Sequence, residues 1–187
     1  GILEGRNLID VPLSLRRGNN IKTIHASLAI EGNTLTIDQI TDLLDGKRIL
    51  GPAQDIVEVK NALQVYDSLL DFKPLDPDDL LRAHKILMQS LVVENGRWRT
   101  TDVGILKGGE VSHVAPPSKR VPELMLDLFK YIQTADIPWI LKACIFHYEL
   151  EFIHPFQDGN GRMGRLWQQL LLMKADPIFR YVPVEVL

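Results

Sequence analysis

Residues 154–165 read HPFQDGNGRMGR and bring a histidine, a carboxylate, a run of glycines and two arginines within a dozen positions. Those are the groups needed to hold a nucleoside triphosphate and to move a piece of it. His154 can take a proton from an incoming hydroxyl. Asp158 can hold the divalent metal that phosphates carry with them. Gly159 and Gly161 let backbone N–H groups converge on an anion. Arg162 and Arg165 can neutralise its charge.

Helices must position these groups. Ile21, Ile24, Leu28 and Ile30 mark one face of a first helix that ends at Gly32-Asn33. Thr36 and Gln39 form a capping box for a short helix carrying Ile40, Leu43 and Leu44, which Gly46 ends. Residues 52–71 place Ile56, Val59, Leu63, Tyr66 and Leu70 at helical spacing. Asp76-Pro77 reads as a cap followed by a first-turn proline, opening a helix with Leu80, His84, Leu87 and Leu91. Pro122 and Pro138 start two more, the second running through Ala143, Phe146, His147 and Leu150 up to the motif. Residues 94–118 break the pattern with several glycines and prolines. Within them, Val103–Leu106 and Val111–Val114 flank Lys107-Gly108-Gly109-Glu110, which reads as a small hairpin in a long loop.

Other chemistries fit the motif less well. Gly159, Gly161 and Gly164 spell G-x-G-x-x-G, but a helical pattern precedes them and no βαβ unit surrounds them, so a dinucleotide fold is disfavoured. The residue sets of a protein kinase and of a P-loop are absent. His147, Glu151 and His154 lie at i, i+4 and i+7, so one helical face could present three metal ligands, yet a second Glu-x-x-His pair is missing. A hydrogen-bonded, half-buried His147 and a buried Glu151 that orients a neighbouring loop are the preferred readings. His25, His84 and His113 have no partners in sequence and read as structural or surface groups, with a ligand contact left open for His113 in the hairpin.

The 187 residues carry a net charge of −3 and 45% hydrophobic residues, enough for one compact domain with a core and without a broad nucleic-acid or membrane footprint. Arg97–Arg99 and Lys119–Arg120 are short basic clusters of the kind usually solvated at a surface. The single cysteine, Cys144, lies in the apolar run Trp139–Phe146 and is expected to be a buried thiol in a reducing compartment. No signal peptide and no membrane-spanning run is evident, so a cytoplasmic location is expected. The chain starts with Gly1 and stops after the extended-looking Tyr181–Leu187, so further domains are expected beyond it.

HPFQDGNGRMGR resembles the Fic motif HPFx(D/E)GNGRxxR at every defined position. Ser27-Leu28-Ala29-Ile30-Glu31-Gly32 resembles the inhibitory motif (S/T)xxxE(G/N) of that family, and Gly96–Pro117 resembles the flap over its active site. The resemblance covers roughly residues 20–180 and points to a class II member. It implies an all-α, Fic-type helical bundle with a small β-hairpin flap. Residues 1–19 would be an N-terminal segment and 20–180 the Fic domain. Within that domain, the inhibitory helix would take about 20–33, the flap about 96–117 and the catalytic motif 154–165. Residues 181–187 would begin a C-terminal extension.

The implied activity is AMP transfer from ATP to a hydroxyl side chain of a target protein, with release of pyrophosphate. His154 would be the general base. Asp158 would bind Mg2+. Gly159, Asn160 and Gly161 would form the anion hole at a helix N-terminus. Arg162 would hold the β-phosphate region and Arg165 would meet the γ-phosphate. Phe156 would anchor the turn in the core. Glu31, helped by Ser27 and Gly32, would pair with Arg165 and block the γ-phosphate. Removal of AMP from a modified target, self-modification at hydroxyls such as Ser112 and Ser118, and homodimerisation stay open. So does the nature of the acceptor: serine, threonine or tyrosine. Direct nucleic-acid binding and membrane association are not expected. The alternative is a non-catalytic nucleotide-binding or interaction module, which the presence of both His154 and Asp158 disfavours.

Overall fold

The computed structural model describes residues 13–107 and 110–186, with side chains described over 14–104 and 114–185. Among them seven α-helices run in chain order: α1 (Leu13–Ile30), α2 (Ile37–Leu44), α3 (Ala53–Asp67), α4 (Pro77–Leu87), α5 (Val121–Thr134), α6 (Trp139–Ile153) and α7 (Asn160–Ala175). Two short antiparallel strands, β1 (Gly104–Lys107) and β2 (Glu110–Val114), lie between α4 and α5, with a break in register between Ile105 and Leu106. Gly108 and Gly109 of the expected turn lie outside the described residues, as do the side chains of Ser112 and His113. None of the described helices is long and apolar enough to cross a membrane.

The helix ends follow local chemistry. Thr36 Oγ1 accepts from Gln39 N at 3.2 Å while Gln39 Oε1 accepts from Thr36 N at 2.9 Å, so the capping box at α2 is complete. Asp76 caps α4 by accepting from Asp78 N at 3.0 Å, with Pro77 in the first turn, where a missing N–H costs nothing. At the end of α1, Asn33 N donates to Leu28 O at 3.1 Å and Gly32 N to Ala29 O at 3.0 Å. That is a Schellman turn with Gly32 at φ +93° and Glu31 as the last residue before the reversal.

α7 is the central helix. It packs most extensively on α6 and also touches α1 and α4. Met163, Leu166, Trp167 and Leu171 on it are fully buried, beside Phe146 and Leu150 of α6 and Phe156 of the connecting turn. The buried Trp167 indole keeps a partner by donating to Pro74 O at 3.0 Å. After α7, two 3₁₀ turns (Pro177–Arg180 and Val184–Val186) fold the chain back onto α7 and α1. Gln169 Nε2 donates to Phe179 O at 3.2 Å, and Asn19 Nδ2 donates to Tyr181 O at 2.9 Å. The residues expected to begin an extension therefore pack on the bundle.

Three expectations change. α1 begins at Leu13 and buries Ile21, Ile24 and Leu28, but Ile30 in its last turn points to solvent at 60% exposure. α3 closes at Ser68, and in the 3₁₀ turn that follows Leu69 takes the core position while Leu70 is exposed. Cys144 is exposed, not buried. α6 is apolar nearly all round, so its sequence does not mark the core face. Packing selects Ala143, Phe146, Leu150 and Ile153, and Cys144 falls about 100° from Ala143.

Phe146 is fully buried and meets Phe129 edge-on at 5.3 Å between centroids. Phe146→Ala is expected to cost about 3–5 kcal/mol in urea unfolding at neutral pH. Ile30→Ala should stay within about 0.5 kcal/mol. Comparable losses from the two would contradict this assignment of the core.

Candidate active site

The chemistry-bearing residues converge on the turn between α6 and α7. α6 stops because His154 adopts the left-handed conformation (φ 51°, ψ 59°) and Pro155 cannot continue a helix. His154 N still closes on Leu150 O at 2.8 Å. The His154 Nδ1 faces Glu151 O at 3.4 Å, an arrangement that favours a proton on Nδ1 and makes Nε2 the basic nitrogen.

Three buried side chains hold the turn. Asn160 accepts from Phe156 N and donates to Phe156 O, both at 2.9 Å. Its amide thus helps hold the turn, and its backbone N–H lies in the first turn of α7. The Phe156 ring is fully buried, as expected, and stacks on His84 with centroids 3.8 Å apart. His84 Nε2 donates to Asp158 O at 3.0 Å while its Nδ1 accepts from Gly96 N at 2.9 Å. Both nitrogens are used by the neutral ring, and a second proton would break the Gly96 bond. Burial accordingly pushes the His84 pKa down to about 4, against the opposing pull of the Asp158 carbonyl.

Arg99 corrects the expectation of a solvated basic cluster. Its side chain is buried and donates to His154 O at 2.7 Å, Thr101 O at 2.9 Å, Pro116 O at 2.5 Å and Ile153 O at 3.3 Å. Two of those carbonyls belong to the end of α6, where a helix leaves carbonyls unpaired. The other two flank the β1–β2 segment. One guanidinium thus joins that segment to the backbone of His154.

Gly159 (φ +83°) starts α7, and a side chain there would strike Met88 Sδ at 2.6 Å. The first-turn N–H groups of α7 follow directly, at the end of the helix whose dipole favours negative charge. A side chain at Gly161 would run into the Glu31 carboxylate. A side chain at Gly164 would meet Glu151 Oε1 at 2.8 Å, so this glycine makes room for an acid.

The two arginines are each engaged by carboxylates. Arg165 donates through Nη2 to Glu31 Oε1 at 2.6 Å and to Ser27 O at 3.0 Å, and through Nε to Ser27 Oγ at 2.9 Å. Arg162, only 6% exposed, places Nη2 3.2 Å from Asp158 Oδ1 and Nη1 3.4 Å from Glu58 Oε1. Asp158 is more than half exposed, and its Oδ1 also accepts from Gly159 N at 2.6 Å. Glu58 on α3 had no signal in the sequence beyond its place in a helical run.

His147, Glu151 and His154 do not converge on a metal. His147 is half-buried and its Nδ1 pairs with Gln168 Oε1. Glu151 Oε1 is buried and finds no hydrogen-bond partner among the described residues, and burial raises its pKa. No group of three or more potential ligands gathers among the described residues. His25 is half-buried on α1 and lines a surface hollow with Lys22 and Glu185.

Residues 74–172 match the Fic/DOC family. The chain is 34% identical over 174 residues to protein adenylyltransferase fic-1 of Caenorhabditis elegans, covering 87% of this chain and 33% of that protein. It is 33% identical over 165 residues to protein adenylyltransferase Fic of Nematostella vectensis, covering 81% and 37%. Among solved structures, a Fic family protein from Desulfovibrio desulfuricans G20 superposes with a TM-score of 0.90 at 51% identity, covering 95% of this chain and 55% of that one. Fic-1 of C. elegans superposes with a TM-score of 0.77 at 28% identity, covering 90% and 53%. The chain thus spans about a third of the length of these curated relatives.

His84 carries a pH test. Between pH 6.5 and about 4 the unfolded chain accepts a proton that the folded chain refuses. The stability tied to the neutral ring is therefore full above pH 6.5 and falls by about 3 kcal/mol as the pH drops to about 4. His84→Gln cannot titrate there. In urea unfolding, the stability gap between wild type and this variant should narrow by that amount from pH 7 to pH 4. A gap independent of pH would refute the assignment.

Proposed function

The chain belongs to the Fic/DOC family, and on that premise we propose that it is a protein adenylyltransferase held in check by its own first helix. The observation that carries this reading is the Glu31–Arg165 pair at the mouth of a complete transfer constellation. His154 Nε2 takes the proton of a target hydroxyl. The hydroxyl oxygen then attacks the α-phosphorus of ATP. The bond from that phosphorus to the α–β bridging oxygen breaks, and pyrophosphate leaves with the electron pair. The first-turn N–H groups of α7, from Asn160 and Gly161 onward, stabilise the charge that develops on the α-phosphate. Arg162 meets the β-phosphate and Arg165 the γ-phosphate. Positioning and charge stabilisation of this kind are most of what phosphoryl-type transfer needs.

Asp158 is the residue for Mg2+. Its described bonds fall on Oδ1, and one carboxylate supplemented by substrate phosphates is a common way to hold this ion. When bound, the ion would neutralise phosphate oxygens. The β1–β2 segment is read as a flap whose edge takes an extended stretch of the target as an added strand. Arg99 would keep the base of that flap in register with His154.

Glu31 acts as the brake. An arginine committed to a carboxylate cannot also receive the γ-phosphate, and Glu31 repels that phosphate. Ser27 holds the other edge of the guanidinium, and the Schellman turn at Gly32 places Glu31 against Gly161. Glu31 is about a third exposed, so solvent screening weakens the pair. Intact-protein mass spectrometry after incubation with Mg-ATP tests the reading, with and without added candidate targets. AMP addition is expected to rise roughly five- to thirtyfold in Glu31→Gly over wild type and to vanish in Glu31→Gly/His154→Ala. Equal rates in wild type and Glu31→Gly would remove the brake. Nucleotide binding without transfer in every form would leave a binding module in place of an enzyme.

A further inference from the structure

Arg162 is the most deeply buried charge of the phosphate site, at 6% exposure. A guanidinium taken out of water must be paired. Asp158 supplies one partner at 3.2 Å, but that carboxylate is more than half exposed and is also the residue suited to the metal. The other partner comes from outside the motif. Glu58 on α3 is 10% exposed, and its Oε1 lies 3.4 Å from Arg162 Nη1. The rest of the Glu58 carboxylate is also engaged. Gln54 Nε2 donates to Oε1 at 3.3 Å, and Asn33 Nδ2 donates to Oε2 at 2.9 Å. Asn33 is fixed in turn, donating also to Asp55 O at 3.1 Å and accepting from Leu35 N at 3.1 Å. It is the residue that closes the Schellman turn behind Glu31.

We propose that Glu58 is a positioning residue for the phosphate site: one carboxylate oxygen holds Arg162, and the other ties the Glu31 turn to it through Asn33. This rests on the nucleotide reading above.

Two consequences follow from the geometry. Anchoring Nη1 on Glu58 fixes the plane of a rigid fork, so Nη2 is held toward the turn without further ordering when phosphate arrives. It also keeps Arg162 from closing fully on Asp158. Without the Glu58 charge, Asp158 becomes the only carboxylate left to Arg162 among the described residues, and arginine and metal compete for the same oxygens.

The test uses Glu31→Gly as parent, so that Arg165 is available to the nucleotide. Isothermal titration measures ATP affinity at saturating Mg2+ and the Mg2+ midpoint at fixed ATP. The near-isosteric Glu58→Gln keeps the hydrogen-bonding shape and removes the charge. It is expected to weaken ATP binding by roughly ten- to a hundredfold and to raise the Mg2+ midpoint. Asn33→Ala leaves the Glu58 charge and frees its second oxygen, for a shift of roughly threefold in the same direction. Thermal unfolding of each variant separates lost affinity from lost fold, and Asn33→Ala stands as the independent arm if Glu58→Gln is unstable. Parent affinity and an unchanged Mg2+ midpoint in both variants would overturn the proposal. So would tighter binding in Glu58→Gln, which would make Glu58 a competitor of the phosphate. Failure of Glu31→Gly itself to bind ATP would overturn the nucleotide reading, and this proposal with it.

Discussion

The site depends on one constraint: the N-terminal end of a buried helix has to stay open beside a sharp turn whose own backbone groups are satisfied. α7 is the central helix, yet its first turn must present unpaired N–H groups. The chain reaches it through two left-handed residues, His154 and Gly159. A left-handed histidine is an unfavourable conformation on its own. It persists because the carbonyls around it are held by Arg99, while the next residues are closed by Asn160 on Phe156 and by His84 on Asp158. Each of these buried groups satisfies a backbone atom that water cannot reach, so losing one costs more than the bond itself is worth.

The same economy governs charge. Two arginines point at the mouth of α7, and each is held by a carboxylate from a different helix. Arg162 is nearly dry, and its Glu58 partner is equally sheltered, so this pair has few ways to rearrange. Arg165 pairs with Glu31, which is partly wet and sits at the end of a helix. An exposed pair of this kind contributes little to stability and can part at low cost. The buried pair therefore suits a fixed frame, and the half-exposed pair suits a contact that opens.

Much of this was legible in the sequence where the signal is local. The capping box at Thr36, the Asp76-Pro77 start of α4 and the helical spacing of Val59, Phe146 and Leu150 all depend on neighbours within a few residues. The turn of HPFQDGNGR is local as well. Arg99, His84 and Glu58 were not legible, because their partners lie in other elements and are largely backbone carbonyls, which look alike in every sequence. Arg99 beside Arg97 reads as surface, though only Arg97 is. Cys144 was misplaced for a different reason: a helix with apolar residues on all sides offers no stripe from which to choose a face.

Three acids surround Arg165, and one of them holds it. Glu31, Glu151 and Glu185 all lie close enough to Arg165 to feel or exert its field. Burial raises the pKa of Glu151 and Glu185, and each has a carboxylate oxygen with no hydrogen-bond partner among the described residues. Among the described residues the hydrogen bonds of Arg165 go to Ser27 and Glu31 and not to these two acids. Glu31, about a third exposed, holds Arg165 directly. Gly164 makes room for Glu151 beside α7. An arginine that leaves Glu31 therefore has no second carboxylate already bonded to it among the described residues. Its guanidinium remains available to the negative charge that approaches from the mouth of the helix.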